Sequence, residues 1–269
     1  MTESIIVQRL DGTQYNLDDL GIRVISFDPP GPNYQYTFTQ MSRYSAVVTD
    51  TQMQQTTIPL VVQVRAHDVY DYELMRQRVL KVFAGYEPFY VINARIPFLR
   101  WKVVPDAYEF QRLSNFWFSQ PITINLLCAD GAAETVLTTL DQDFVSAFGY
   151  SASTTEIPAY SFTNRTSFTI WNGGTIPLRA EEHPVLITLD AKASSVTIKN
   201  NTTAQSLTVN TALSRGTPLT IYGLKMMVGS KSVFVNSNHA YLDFVPGNNS
   251  ISISGTSDFT VSFKTRFYY

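Results

Sequence analysis

The chain has 269 residues, of which only 16% are charged, with 20 Lys and Arg against 22 Asp and Glu. That length is enough for two domains that bury their own cores without covalent staples. A net charge of −2 excludes the basic stripe that a dedicated nucleic-acid binder needs to displace counterions from phosphates. Cys128 is the single cysteine, so an intrachain disulfide and a zinc site of several thiolates are both excluded. The start, Met1 to Arg9, lacks a basic segment followed by an apolar run, and no stretch approaches the ~18 apolar residues of a membrane span. The expectation is a soluble protein made in a reducing cytosol.

In chain order, Pro29, Pro30, Gly31 and Pro32 break the backbone into a loop before Tyr34. Val61–Arg65 and Phe89–Asn93 read as strands. Between them a helix is predicted over about 69–83. Its apolar stripe is Val69, Tyr72, Met75, Val79, Val82 and Phe83, spaced for one face. Asp68 or Asp71 can cap its first turn, Gly85 can close its last, and Arg76, Arg78 and Lys81 suit its negative end.

Composition changes near Thr135. Ser and Thr number 16 in the first 135 residues and 36 in the last 134. The net charge is −3 before the change and +1 after it. Two independently composed domains are therefore expected, 1–135 and 136–269. The second reads as seven or more short strands of period 2. They are Val185–Leu189, Ser195–Lys199, Ser206–Asn210, Pro218–Tyr222, Ser232–Val235, Ser250–Ser254 and Phe259–Phe263. Turn residues lie between them: Asn172-Gly173-Gly174, Asn200-Asn201, Arg215-Gly216, Gly229-Ser230 and Pro246-Gly247-Asn248-Asn249. That spacing predicts an antiparallel sandwich or jelly roll. The fold class is mainly β with one helix, an α+β first domain and a β second domain.

Little in the chain suggests catalysis. His67, His183 and His239 have no second histidine or cysteine at metal-ligand spacing. Glu181-Glu182-His183 reads as a solvated loop before Pro184, and Asp68 beside His67 as a helix cap. Cys128 sits in the apolar strand Ile122–Cys128 and reads as an inert buried thiol. Asp141 and Asp143 read as exposed carboxylates rather than a hydrolytic pair. The chain has no phosphate loop, no dinucleotide fingerprint and no nucleophile elbow. The Asn-x-Ser/Thr triplets at Asn164, Asn200, Asn201 and Asn248 read as chance in a Ser/Thr-rich domain. The expectation is a protein with no enzymatic activity, no cofactor and no metal.

Aromatics point to assembly instead. Eleven lie between Phe83 and Phe118, interleaved with arginines, more than one core easily absorbs. Aromatics and Arg are the usual interface anchors. Arg95, Arg100, Arg112, Phe116 and Trp117 are candidate oligomer-interface residues. In the second half Trp171, Tyr222 and Tyr241 are candidate saccharide contacts by stacking, with a core position the favoured reading for Trp171.

The order of several segments carries a resemblance. Thr57–Asp68 is followed by Tyr72–Phe83, by Glu87-Pro-Phe-Tyr-Val-Ile92 and by Pro97-Phe-Leu-Arg-Trp-Lys-Val103. That sequence of segments resembles the N-terminal domain of siphophage distal tail (Dit) proteins. Asn172–Thr175 with Pro184–Ile187, Ser195–Asn200, Gly216–Ile221, Pro246–Gly255 and the ending Val261–Phe267 are similar to that family's C-terminal domain. The segment from Asp141 to Tyr160 matches no part of it. The resemblance implies a homohexameric ring at the distal end of a long non-contractile tail, closed by the N-terminal domains. One face would dock on the tail tube protein and the other on the tail-associated fibre or lysin protein. The C-terminal domain would be a galectin-like β-sandwich pointing outward, holding receptor-binding or baseplate proteins. The location implied is the virion tail, with assembly in the host cytoplasm. Ring closure needs two different patches per subunit. A net −3 in the first half suits a lumen that passes DNA without binding it. A carbohydrate-binding module recognising a cell-surface saccharide is the alternative from the same residues.

Overall fold

Period-2 patterning accounts for most of the computed structural model, which describes residues 4–113, 117–148 and 158–269. The chain divides into two units, residues 1–134 and 135–269. Each has its own hydrophobic core.

In the first unit the strands are β1 (Ile5–Gln8), β2 (Gln14–Asn16), β3 (Ile22–Phe27), β4 (Tyr34–Ser42), β5 (Ser45–Met53), β6 (Thr56–Val64), β7 (Phe89–Asn93), β8 (Leu99–Pro105) and β9 (Ile122–Cys128). The helix α1 (Val69–Val82) joins β6 to β7. One antiparallel path runs β2-β1-β7-β8-β9-β6-β3. β1, next to one end of this path, and β3, at the other end, feed the same core as its middle, so the sheet curls over one interior. Alternation sets the faces: along β6, Thr56, Ile58, Leu60, Val62 and Val64 are buried and the intervening residues are more exposed.

The helix lies within one residue of the expected span. Asp68 caps it, its Oδ1 accepting from the N–H groups of Tyr70 (2.9 Å) and Asp71 (2.8 Å). Tyr72, Met75, Val79 and Val82 are its buried residues. Val69 was expected in that stripe and is exposed instead. At ~100° per residue it stands about 100° from the centre of the other four. Gly85 does not close the helix. Phe83 does, with φ −99° and its N–H donating to Val79 O.

The end of α1 is held by a residue absent from the sequence reading. Arg9, just beyond β1, is 5% exposed. Its guanidinium donates to three carbonyls around the helix terminus, Ala84 O (2.8 Å), Val82 O (2.9 Å) and Lys81 O (3.2 Å). Those of Lys81 and Val82 are among the last carbonyls that a helix leaves without i+4 partners, at the negative end of its dipole. The rings of Phe89 (4.9 Å) and Tyr86 (5.4 Å) flank the same cation.

In the second unit β10 (Glu134–Thr135) spans the boundary and is followed by the short helix α2 (Phe144–Phe148). A six-stranded antiparallel sheet has the order β11 (Ser161–Thr163), β20 (Phe259–Lys264), β13 (Leu186–Ala191), β16 (Leu219–Tyr222), β17 (Lys225–Val228), β18 (Lys231–Ser232). A four-stranded sheet has the order β12 (Ser167–Asn172), β19 (Gly247–Ser254), β14 (Val196–Asn200), β15 (Gln205–Val209). Their inward residues form one core, as in the expected antiparallel sandwich. Two local expectations fail. Ser232–Val235 is not a strand: β18 stops at Ser232 and Phe234–Asn236 is a turn of 3₁₀ helix, closed by Ser237 Oγ donating to Phe234 O at 2.7 Å. Asn248 and Asn249 lie in β19, not in a turn. Asn249 is fully buried, donating to Val245 O (2.8 Å) and accepting from Val245 N–H (3.0 Å).

Cys128 is fully buried, its thiol 3.6 Å from Ala132 O, and burial pushes its pKa up. It should resist thiol reagents in the native protein at neutral pH, and labelling within minutes would contradict this. Val79→Asp should cost about 3–5 kcal/mol through a buried unpaired charge, whereas Arg76→Ala on the outer face should leave thermal unfolding almost unchanged. Arg9→Ala should cost about 2–3 kcal/mol by orphaning the helix carbonyls. Arg9→Lys should recover little of it, since one ammonium cannot reproduce a planar fork of donors; thermal unfolding measures both.

Candidate assembly surface

An antiparallel hairpin formed by β4 and β5 stands apart from the curled sheet as a sheet of its own. The residues that make it are β-formers: aromatic at Tyr34, Tyr36 and Phe38, β-branched at Thr37, Thr39, Val47, Val48, Thr49 and Thr51. Ser42 pairs with Ser45 across the tip, and the register shifts at Thr37/Phe38 and at Gln40/Ser42. Such bulges add twist. Its base is tied by Gln54 N–H donating to Asn33 O (2.8 Å). The base also passes so close to Gly131 that a Cβ there would lie 2.4 Å from Gln54 O. Gly131 also has φ +66°, so both the space and the backbone call for glycine.

The two faces of the hairpin differ. Tyr34, Tyr36 and Phe38 form a ladder on one face, with centroids 6.3 and 6.4 Å apart. The other face has a threonine cluster, where Thr49 Oγ1 lies 3.2 Å from both Thr39 Oγ1 and Thr37 O. An arm of this kind normally lays its apolar face on something, yet every residue from Tyr34 to Gln52 is exposed. Phe38 is 65% and Tyr44 90% accessible. An isolated two-stranded hairpin is marginal in water, and uncovered contiguous apolar surface marks an interaction site.

The sequence candidates are dispersed. Arg95 is exposed and its backbone N–H donates to Asn93 Oδ1 (2.9 Å). Arg100 is committed inside the unit: Nε donates to Glu134 Oε1 (2.7 Å), the guanidinium lies 3.7 Å from the Tyr90 centroid, and the side chain is 11% exposed. It is a structural residue rather than an anchor for a partner. Arg112 is exposed, with its guanidinium 5.3 Å from the half-buried Trp117 ring. Trp117 O accepts from Ala66 N–H (2.7 Å), just past the end of β6. Phe116 lies outside the described residues. Much of the aromatic surplus is core or cation partner, as with Phe83, Phe89, Tyr90 and Phe118.

Trp171 is half-buried against the core of its own unit. Its ring packs edge-on against Phe267 (5.6 Å, 89°) and fills the space beside Gly173, where a Cβ would lie 2.4 Å away. Tyr222 and Tyr241 are exposed. Tyr222, 52% accessible, borders an open groove of about 360 Å³ with Leu186, Thr220, Lys225, Met227 and Gly229. Cross-strand pairing places Lys264, Leu186, Tyr222 and Lys225 in one row. Elsewhere Asp141 accepts from Thr138 N–H and Oγ1, which holds its carboxyl below the usual range. That is a turn cap, not half of a carboxylate pair. Among the described residues no group of three or more His, Cys, Asp or Glu is placed to hold a metal ion.

The surface with most to offer is therefore an assembly arm, and comparison with known proteins agrees on the class. The phage tail protein RIFT-related domain matches residues 10–128, and the siphovirus-type tail component C-terminal domain matches residues 179–267. The chain is a phage tail component of hub type. It belongs to the siphophage distal tail protein (Dit) family, both domains of which it carries in order. The crystal structure of the Dit protein (gp 19.1) of SPP1 matches with a TM-score of 0.70 at 12% identity, over 98% of this chain and 99% of that one. A chain of the phage P2 baseplate in its activated conformation with calcium matches with a TM-score of 0.48 at 7% identity, over 98% of both. No curated protein sequence matches.

The hairpin's exposure has a direct consequence for stability. Tyr36→Ser and Phe38→Ser should each leave the unfolding temperature within about 1–2 °C of the parent, since surface changes are worth within about 0.5 kcal/mol. A fall comparable to that of a core variant would mean that the arm is packed within its own subunit.

Proposed function

We propose that this chain is the structural hub of a long non-contractile tail tip, with six copies closing a ring through the N-terminal unit. The ring joins the tail tube protein on one side to the tail-associated fibre or lysin protein on the other. The C-terminal unit holds receptor-binding or baseplate proteins, and DNA passes through the lumen without a binding role. The work is mechanical rather than catalytic, at the distal end of the virion tail, after assembly in the host cytoplasm. The observation that carries this reading is the hairpin β4–β5, a long amphipathic arm with an uncovered aromatic face. It belongs to the unit that matches a phage tail domain. Among the interface residues suggested by sequence, Arg112 and Trp117 remain the ones to test beside the arm.

A second reading has one observation in its favour, the exposed Tyr222 beside an open groove lined by Thr220 and Lys225. An aromatic ring with a hydroxyl and an ammonium around it suits a cell-surface saccharide. Glycan-array binding that disappears in Tyr222→Ala would support that role for the C-terminal unit, alongside assembly or in place of it.

Light scattering on the intact protein tests the hub reading. The expected mass is six times the 30.3 kDa chain. A monomer at tens of micromolar in moderate salt would overturn the ring.

A further inference from the structure

We infer that the aromatic face of the hairpin docks on the outer face of α1 in the neighbouring copy of the chain. This rests on the ring reading and says which surface receives the arm.

The argument begins with what α1 leaves uncovered. Its inner stripe is buried, yet its outer face, which should be polar, carries Val69, Tyr70, Leu74 and Leu80 as exposed large apolar residues. Tyr70 is 80% and Leu74 65% accessible. They lie at i and i+4, so their side chains are neighbours. Among the described residues of this unit, the other exposed large apolar side chains outside the hairpin are single residues on strands and loops. The first unit thus presents two apolar surfaces of different shape, an extended arm and a helix flank. In a ring each subunit offers one patch and receives the other.

The two surfaces also match in charge and size. The hairpin carries only Arg43 and Asp50, and Asp50 already accepts from Gln52 Nε2 (2.8 Å) and Thr51 N–H (2.9 Å). On the helix Glu73 and Arg76 pair with each other at 3.6 Å. Docking would strand few charges: Arg43 sits at the hairpin tip over the Tyr44 ring, and Lys81 lies in the last turn of the helix. Nine-residue strands reach about 30 Å, and a 14-residue helix is about 21 Å long, so the arm can cover the helix flank. Within one copy the arm does not do so, because both surfaces are exposed in the single chain.

The test uses the full chain, whose native Cys128 is buried and out of reach. The double variant Phe38→Cys/Leu74→Cys is oxidised and run on a non-reducing gel. Light scattering is measured on the same sample before oxidation. A ladder of covalent oligomers, absent from either single variant, supports the docking. A hexamer by light scattering that yields only single-chain bands, or an intrachain link, overturns it and leaves the ring standing. A monomer by light scattering overturns the ring and the docking together. Leu74→Arg should weaken association at least 100-fold with an unchanged unfolding temperature. Unchanged association would overturn the helix as receiver.

Discussion

The first unit depends on how its helix is tied down, and Arg9 does the tying. A helix of 14 residues cannot hold itself in water. It is retained because Tyr72, Met75, Val79 and Val82 complete the core, and because a buried guanidinium takes up the carbonyls at its end. The same contact fixes α1 to the region around β1 and β7, two strands distant in sequence and adjacent in the sheet. Everything the helix shows to the outside is set by that anchorage.

A curled sheet that buries its apolar side chains has no need of further strands, so the hairpin adds nothing to the core of its own unit. Its aromatic ladder is a burden on the free subunit, since exposed β surface invites adventitious pairing. The bulges and the polar second face limit that risk while keeping one face able to bind. An assembly protein needs such surface held ready, and the hub reading supplies what covers it.

The second unit solves a different problem. Three asparagines, Asn172, Asn200 and Asn249, are almost wholly buried. Each bonds to loop backbone: Asn172 Nδ2 donates to Ile176 O (3.1 Å), Asn200 Nδ2 to Asp243 O (2.7 Å), and Asn249 Nδ2 to Val245 O (2.8 Å). Loops without regular pairing are thereby fastened to the sandwich, which leaves the outer sheet faces free to carry Ser, Thr and single aromatics. Buried polar groups with partners of this kind select one arrangement of the loops.

The sequence alone determined the parts governed by short-range periodicity. These are the helix within one residue of its ends, most strands of the second half, an apolar burial for Cys128, and two differently composed halves. The ordered segments also carried the family. It did not reveal Arg9 as a helix cap, because the carbonyls it meets are more than 70 residues away in sequence. It missed the hairpin, although Tyr34, Tyr36 and Phe38 alternate with Gln35, Thr37 and Thr39, a signal of period 2 that a stricter count detects. It offered Arg100 as an interface candidate, and kept Trp171 as a saccharide candidate beside the favoured core position, because composition cannot tell an aromatic or arginine spent on a neighbour from one that is free. That distinction is made by packing: whether a Glu134 or a Phe267 lies across the fold to engage the side chain is decided only when distant strands come together.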